Sequence, residues 1–482
     1  MQWQLFISSR LDVHSGSPKI ISDLTGILVS DAFLDYLNNN NIVHTTVNSL
    51  PELLVSTNSS STSLVLTTIK EIPAFINNRF QKIKFNYSDI PLNGNVHNEL
   101  KNLPADTIIT VLEYIFATDR HCAVQANKLP EITANAVLFR NKNELYKLKQ
   151  QLVSLLEAPQ DINNILFSAQ IWGNIIHHSY IQNDDSFLSL IPQMDAYSDE
   201  FFLNNKMQSV FYASTPRNPK TVDKILHNIN VDNKEKVALL CFDCMGFAEW
   251  LVLKEYLSDV QLEFDEVPVF ALLPSVTVFS RQAIFSGSTD VYNIKVPNRS
   301  NEISNFASFF NDKETKSFSE KDEITSDTLI GYKYINILYN FFDELCHSVI
   351  FPLAENTKSL YFDAIKAYLS KSNLIETIRT LLKNDFSVYF CSDHGSVLAS
   401  GNGIKLEKYY VDSFAKRAVV IPEKANELIE NKKINIPFVK DKLIVLPEGR
   451  TMFTYKNKKE INHGGISIEE MVVPYIKVRK KI

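Results

Sequence analysis

Asp343 and His347, in Phe342-Asp343-Glu344-Leu345-Cys346-His347, are four residues apart. On a helix both would project from one face and could grip one cation. Three further places offer donors of the same kind: Asp243 after an apolar run, Asp393-His394 after another, and His463 in the glycine turn Asn462-His463-Gly464-Gly465. Taken singly, each has an ordinary reading as a helix cap or a satisfied turn histidine. Ten histidines in 482 residues also make one chance Asp-x-x-x-His unsurprising. A hydroxyl group is available in residues 273–287, where a strand ends in a turn that presents Thr277 near the start of a helix. Backbone N–H groups and the helix dipole favour an anion there. Ser275 and Ser280 flank Thr277, and Arg281 lies one helical turn further on the same face, a candidate for holding a phosphate oxygen.

These residues need elements that bring them together. Residues 237–242 form a continuous apolar run of the kind a buried parallel strand shows, followed by Asp243-Cys244-Met245-Gly246 and an amphipathic helix to about residue 257. The same pattern recurs at 267–273, at 386–391 and at 419–421. Open α/β sheets place their sites at the carboxyl ends of such strands. Between 143 and 227 the apolar residues recur three and four apart, as in Leu145, Leu148, Leu152 and Leu155, which predicts helices. His177-His178 falls there, and helical neighbours diverge by about 100°, so one should pack and the other face solvent. Residues 1–140 alternate short apolar runs, beginning with Leu5-Phe6-Ile7, with helical patterns, the rhythm of a small α/β domain. Residues 56–63 read as a polar loop and 311–327 as a charged, solvated one. The expected organisation is an α/β domain at 1–140, a helical connector at 141–234 and a second α/β domain at 235–482.

Composition narrows the chemistry. With 49 Lys plus Arg against 55 Asp plus Glu the net charge is −6, so no global basic field points to nucleic acid. Only 13 glycines are present, Gly401-Asn402-Gly403 lacks the third glycine of a dinucleotide fingerprint, and no GxxxxGK[ST] occurs. Cys241-Phe242-Asp243-Cys244 is formally CxxC but follows a buried strand, with no second pair to complete a tetrahedral thiolate site. The other cysteines are Cys122, Cys346 and Cys391, a sparse, odd set that suits a reducing compartment. The N-terminus lacks a signal-peptide pattern and no apolar run approaches the ~18 residues of a membrane span, so a cytoplasmic protein without membrane contact is expected.

Read together, strand-Asp243, turn-Thr277, helical Asp343-x-x-x-His347, strand-Asp393-His394 and His463-Gly464-Gly465 resemble the alkaline phosphatase superfamily. Within it the chain is most similar to the PglZ domain, over roughly residues 235–480. The resemblance implies an alkaline-phosphatase-like domain with a predominantly parallel sheet between helices. It also implies two divalent metal ions, zinc or alternatively manganese, one held by Asp243, Thr277, Asp393 and His394 and the other by Asp343, His347 and His463. Three carboxylates and a threonine alkoxide would offset the four positive charges of two zinc ions. Thr277 would attack phosphorus to give a covalent phospho- or nucleotidyl-threonine that is then hydrolysed. The implied activity is a phosphodiesterase or nuclease acting on nucleotides or oligonucleotides, in a BREX-like phage-defence or signalling context with other defence proteins as partners. The alternatives are a non-catalytic scaffold and a small-metabolite phosphomonoesterase. A sulfatase is disfavoured because its nucleophile is made from Cys or Ser.

Overall fold

The computed structural model describes residues 2–59, 63–92, 94–118, 124–204, 206–232, 234–258, 260–292, 298–311, 314–404, 415–423, 431–435, 439 and 442–481. Cys122, residues 60–62 of the polar loop and 312–313 of the charged loop lie outside them. The chain divides into two compact units, Met1–Glu144 and Leu145–Ile482.

The first unit is an all-parallel four-stranded sheet in the order β2-β3-β1-β4, from β1 (Lys19–Asp23), β2 (His44–Val47), β3 (Leu64–Thr67) and β4 (Gln81–Phe85). Leu5, Phe6 and Ile7 lie in a helix, Trp3–Arg10, rather than a strand, with Trp3 and Ile7 buried one helical turn apart. The Leu50–Asn58 helix likewise takes in the first three residues of the expected polar loop; Ser49 caps its start by accepting from the Glu52 amide.

The second unit is built on a six-stranded sheet in the order β6-β16-β9-β5-β8-β7. Its strands are β5 (Val237–Phe242), β6 (Leu262–Phe270), β7 (Thr315–Ser319), β8 (Tyr334–Tyr339), β9 (Ser387–Ser392) and β16 (Val472–Lys480). Strands β9, β5, β8 and β7 run parallel, and β16 pairs antiparallel with both β9 and β6. The Val-Ala-Leu-Leu-Cys-Phe run is buried at every position because β5 is central and covered on both faces. Strand β7 falls inside the segment read as a solvated loop: only Phe318 of its five residues is buried, the weak apolar content of an edge strand. Residues 419–421 do not join the main sheet. They belong to a separate three-stranded antiparallel sheet, β11 (Val419–Pro422), β12 (Lys432–Asn435) and β13 (Lys442–Leu446). A third small sheet unites β10 (Val397–Gly401), β14 (Thr451–Met452) and β15 (Lys459–Asn462).

The helices between 145 and 231 pack into the same core as the six-stranded sheet: Ile165, Trp172, Ile175, Phe202 and Ile229 cluster with β5 and β9 side chains. His177 is buried and His178 half-buried, as helical divergence requires. No helix among the described residues is long and apolar enough to cross a membrane.

Candidate active site

Asp243, Asp343 and Asp393 all follow the carboxyl ends of neighbouring parallel strands, β5, β8 and β9. The turns after β5 and β9 are in contact. The Cys244 amide donates to Asp393 Oδ1 at 3.1 Å, the Met245 amide to Ser392 Oγ at 2.9 Å, and the His394 amide also to Asp393 Oδ1 at 3.0 Å. Gly395 is required here, since a Cβ would collide with the Glu469 carbonyl oxygen and sit 3.1 Å from the Gly246 Cα. Two amides therefore occupy one oxygen of Asp393. The other, Oδ2, is buried, receives no hydrogen bond among the described residues and lies 3.8 Å from His394 Nε2.

His394 is oriented by its own backbone neighbour. Nδ1 lies 3.1 Å from the Gly395 carbonyl oxygen, which can only accept, so Nδ1 carries the proton and Nε2 presents its lone pair. Nε2 lies 2.9 Å from Thr277 Oγ1, whose single proton can go either to that nitrogen or to Asp243 Oδ1, 3.2 Å away. Donor atoms of Asp243, Asp393 and His394 lie within 4.8 Å of one another. The four residues expected to hold one ion are thus together.

Asp343 and His347 lie on the Phe341–Ser348 helix, with His347 Nε2 3.2 Å from Asp343 Oδ1; His463 Nε2 approaches the same oxygen at 3.6 Å. Donor atoms of these three also fall within 4.8 Å. His463 arrives from the end of β15, and its ring stacks on His394 with centroids 4.3 Å apart, which sets the two clusters side by side. Exposure is uneven: the Asp393 and His394 side chains have none, whereas Asp343 and His347 keep 25% and 18%. The second cluster is the open side.

Thr277 is the first residue of the Thr277–Ser286 helix, as the sequence implies. Its neighbours have other duties. Buried Ser275 donates through Oγ to the Gly465 carbonyl at 2.8 Å and accepts from the Gly464 amide at 3.2 Å, tying the His463 turn to the Thr277 loop. Ser280 Oγ accepts from the Leu272 amide at 3.0 Å. Arg281 donates to Asp243 Oδ2 at 2.5 Å and to Glu302 Oε1 at 2.7 Å, so two carboxylates already engage its guanidinium. Glu302 was not legible as a functional residue, being in a stretch with no motif.

The electrostatics suit cations. Burial, and then the neighbouring Asp393, push the Asp243 carboxyl well above the usual carboxylate range. Two buried carboxyl groups facing one another need a proton or a cation between them. For Asp343, burial acts upward, but the hydrogen bond from His347 leads the effects that outweigh it and hold the carboxyl down at about 2. Burial pushes the His463 imidazole well below its ordinary value, keeping it neutral as metal ligation requires. The donor set of carboxylates, imidazoles and one hydroxyl fits divalent ions of the zinc or manganese kind.

The CxxC does not close on itself. Cys241 pairs in register with Cys391 across β5 and β9, while Cys244 lies beside Cys346, and all four are free thiols. Burial raises the Cys244 and Cys346 thiols, so both are protonated rather than reactive.

Residues 221–478, more than half of the chain, match the family model described as the BREX system PglZ alkaline phosphatase-like domain. Alkaline phosphatase-like domains imply divalent metal ions, in agreement with the two clusters. A search of curated proteins returns no match. Among solved structures, human ectonucleotide pyrophosphatase / phosphodiesterase 5 aligns over 51% of this chain and 87% of its own at 13% identity and a TM-score of 0.29. The murine protein aligns over 51% and 90% at 14% identity and 0.29. An inactive form of the murine protein in complex with AMP aligns over 52% and 90% at 13% identity and 0.28.

Proposed function

This chain belongs to the PglZ family of alkaline phosphatase-like proteins, and on that footing we propose that it is a metal-dependent hydrolase of phosphate esters, a phosphodiesterase or nuclease acting on nucleotides or oligonucleotides. The observation that carries the reading is the position of Thr277 Oγ1, 2.9 Å from the His394 Nε2 lone pair and 3.2 Å from Asp243 Oδ1. That position puts the hydroxyl among the residues that would hold the ion, whose binding would release its proton to solvent. Asp243, Thr277, Asp393 and His394 would hold one divalent ion, zinc by preference, and Asp343, His347 and His463 a second. Bound ions would supply Lewis-acid stabilisation of the charge that develops on the phosphoryl oxygens, and would lower the pKa of the threonine hydroxyl.

The residues of the chain divide the remaining work. The Gly395 carbonyl fixes the His394 tautomer, and the Cys244 and His394 amides hold Asp393 so that Oδ2 faces the site. Thr277 Oγ1 forms the new P–O bond as the ester bond breaks; water then cleaves the threonyl ester and restores the hydroxyl. The helix start at Thr277 leaves backbone N–H groups facing the incoming anion. Asp343 and His347, on the open side, are where a leaving group or the second water would enter. The BREX description of the family motivates a phage-defence setting, with other defence proteins as partners.

The test is elemental analysis of the purified protein, followed by turnover of bis-p-nitrophenyl phosphate, p-nitrophenyl phosphate and short oligonucleotides with Zn²⁺ or Mn²⁺. Faster turnover of the diester and the oligonucleotides is expected. Preference for the monoester would favour a phosphatase, and metal-loaded protein inert to all three would favour a scaffold.

A further inference from the structure

Asp243 is held by its two oxygens in two different ways. Oδ1 faces Thr277 and, at 3.7 Å, His394 Nε2. Oδ2 accepts from Arg281 Nη1 at 2.5 Å. Arg281 does not stand alone, because its Nε donates to Glu302 Oε1 at 2.7 Å. Glu302 is 3% exposed and its other oxygen accepts from Arg299 Nη1 at 3.1 Å. Arg299 Nη2 is anchored in turn on Asn336 Oδ1 at 3.0 Å, in the middle of β8. A continuous chain of charge-assisted hydrogen bonds therefore runs from the sheet through the Arg299–Phe309 helix to the Asp243 carboxylate.

We infer that Glu302 is a positioning residue for Asp243, acting through the Arg281 guanidinium to hold Oδ2 so that Oδ1 alone is turned into the site. The role rests on the metal-site reading above. Two physical effects follow from the geometry. Glu302 fixes the plane of the guanidinium, and through it the rotation of the Asp243 carboxylate, which would otherwise be free to turn. Glu302 also neutralises Arg281. Without that negative partner a buried cation would bear on Asp243 alone and oppose a metal ion competing for the same carboxylate. Partners that orient a metal ligand from behind are typically worth 10–100-fold in metal affinity or activity. By spacing Arg281 is a candidate for a phosphate oxygen; the two carboxylates on its guanidinium give it this indirect role.

Glu302→Gln is nearly isosteric and Arg281→Lys keeps the charge while losing the fork that spans both carboxylates. In zinc titrations against a chromogenic chelator, each variant should lose 10–100-fold in affinity for one of two ions. The double variant should be no worse than the single ones, because the two residues act as a unit. A Glu302→Gln protein with wild-type zinc affinity, or strictly additive losses, overturns the proposal. Urea unfolding of chelator-treated protein supplies a readout that needs no metal: Glu302→Gln and Asp243→Asn should be non-additive. If wild-type protein takes up no zinc, the metal reading fails, while this cycle still decides the relay, and a coupling of zero would sink it. Should Glu302→Gln not fold, the cycle of Arg281→Lys with Asp243→Asn decides in the same way.

Discussion

The His394 and His463 rings stack with centroids 4.3 Å apart, although 68 residues, among them two small sheets, separate them in the chain. His394 belongs with Asp243, Asp393 and Thr277, and His463 with Asp343 and His347. The stack joins the two candidate metal clusters, and it is held because β10 and β15, which flank the two histidines in sequence, pair antiparallel with Val397 opposite Asn462.

Removing ligands from one cluster should therefore leave the other filled. Asp343→Ala and His347→Ala are expected to bring zinc content from about two ions to about one per chain. Elemental analysis after gel filtration reads this directly, and unchanged metal content in both variants would show that the Asp-x-x-x-His helix holds no ion.

Thr277→Ala should keep the fold and most of the metal while turnover falls by several orders of magnitude, since six protein ligands remain but the attacking oxygen is gone. Thr277→Ser should keep part of the activity, because the hydroxyl survives with a less restrained rotamer. Steady-state rates with a synthetic diester and a matched metal assay check both statements. Near-normal hydrolysis by Thr277→Ala would eliminate the covalent mechanism even with two ions in place.

The residues that the two clusters bring together were legible as candidates because each follows a strand or turn with a strong local pattern: Asp243 ends the apolar run of β5, Asp393 that of β9, and Asp343 and His347 share one helical face. What the sequence could not show is contact made at long range. Glu302 has no local pattern that sets it apart, and it matters only because folding brings it to Arg281. Ser275 reads as a bystander to Thr277 until the Gly464-Gly465 turn, 189 residues later, is laid against it. Edge strand β7 was missed because one buried residue in five gives no period to detect.

Ser275→Ala should accordingly not be mild. It deprives the Gly465 carbonyl of its donor and the Gly464 amide of its acceptor, and that turn already holds Gly464 at φ +109°. Leaving a buried backbone group unsatisfied costs about 1–3 kcal/mol, and the loosened turn should also raise the zinc concentration needed at the His463 cluster. Urea denaturation and zinc titration of the variant measure the two effects; losses in neither would mean that water replaces the hydroxyl without consequence.

Acid should weaken the fold through histidines that are buried neutral. Burial pushes the His177 imidazole down to about 4, partly opposed by Glu255 3.5 Å away. The unfolded chain takes up this proton near pH 6.5 and the folded one does not, so the contribution is intact above about 6.5 and is lost as pH falls toward 4. Between pH 7 and 5 that amounts to about 2 kcal/mol. His177→Gln should lose correspondingly less stability than wild type over this interval in urea unfolding with chelator present. Equal slopes for the two proteins would show that His177 is protonated in the fold.

The last prediction concerns where the catalytic half can be cut. The sequence placed the boundary near residue 235, just before β5, which would make 141–234 a dispensable connector. The buried residues of that stretch, Trp172, Ile175, Phe202 and Ile229 among them, belong to the same hydrophobic core as β5 and β9, and the compact unit starts at Leu145. A fragment of residues 235–482 would expose several large side chains, each worth roughly 1.5–3 kcal/mol when buried, against a total stability of about 5–15 kcal/mol for a typical domain. It should be insoluble or molten. Residues 145–482 retain that core and all seven proposed ligands, so this fragment should unfold cooperatively, hold as much zinc as the full chain and turn over a small synthetic diester. Circular dichroism melts and elemental analysis of the two fragments decide the matter. A folded, zinc-loaded 235–482 would show that the helices from 145 to 231 are an accessory to the sheet, and a 145–482 fragment that folds without zinc while the full chain holds it would show that the seven proposed ligands do not suffice.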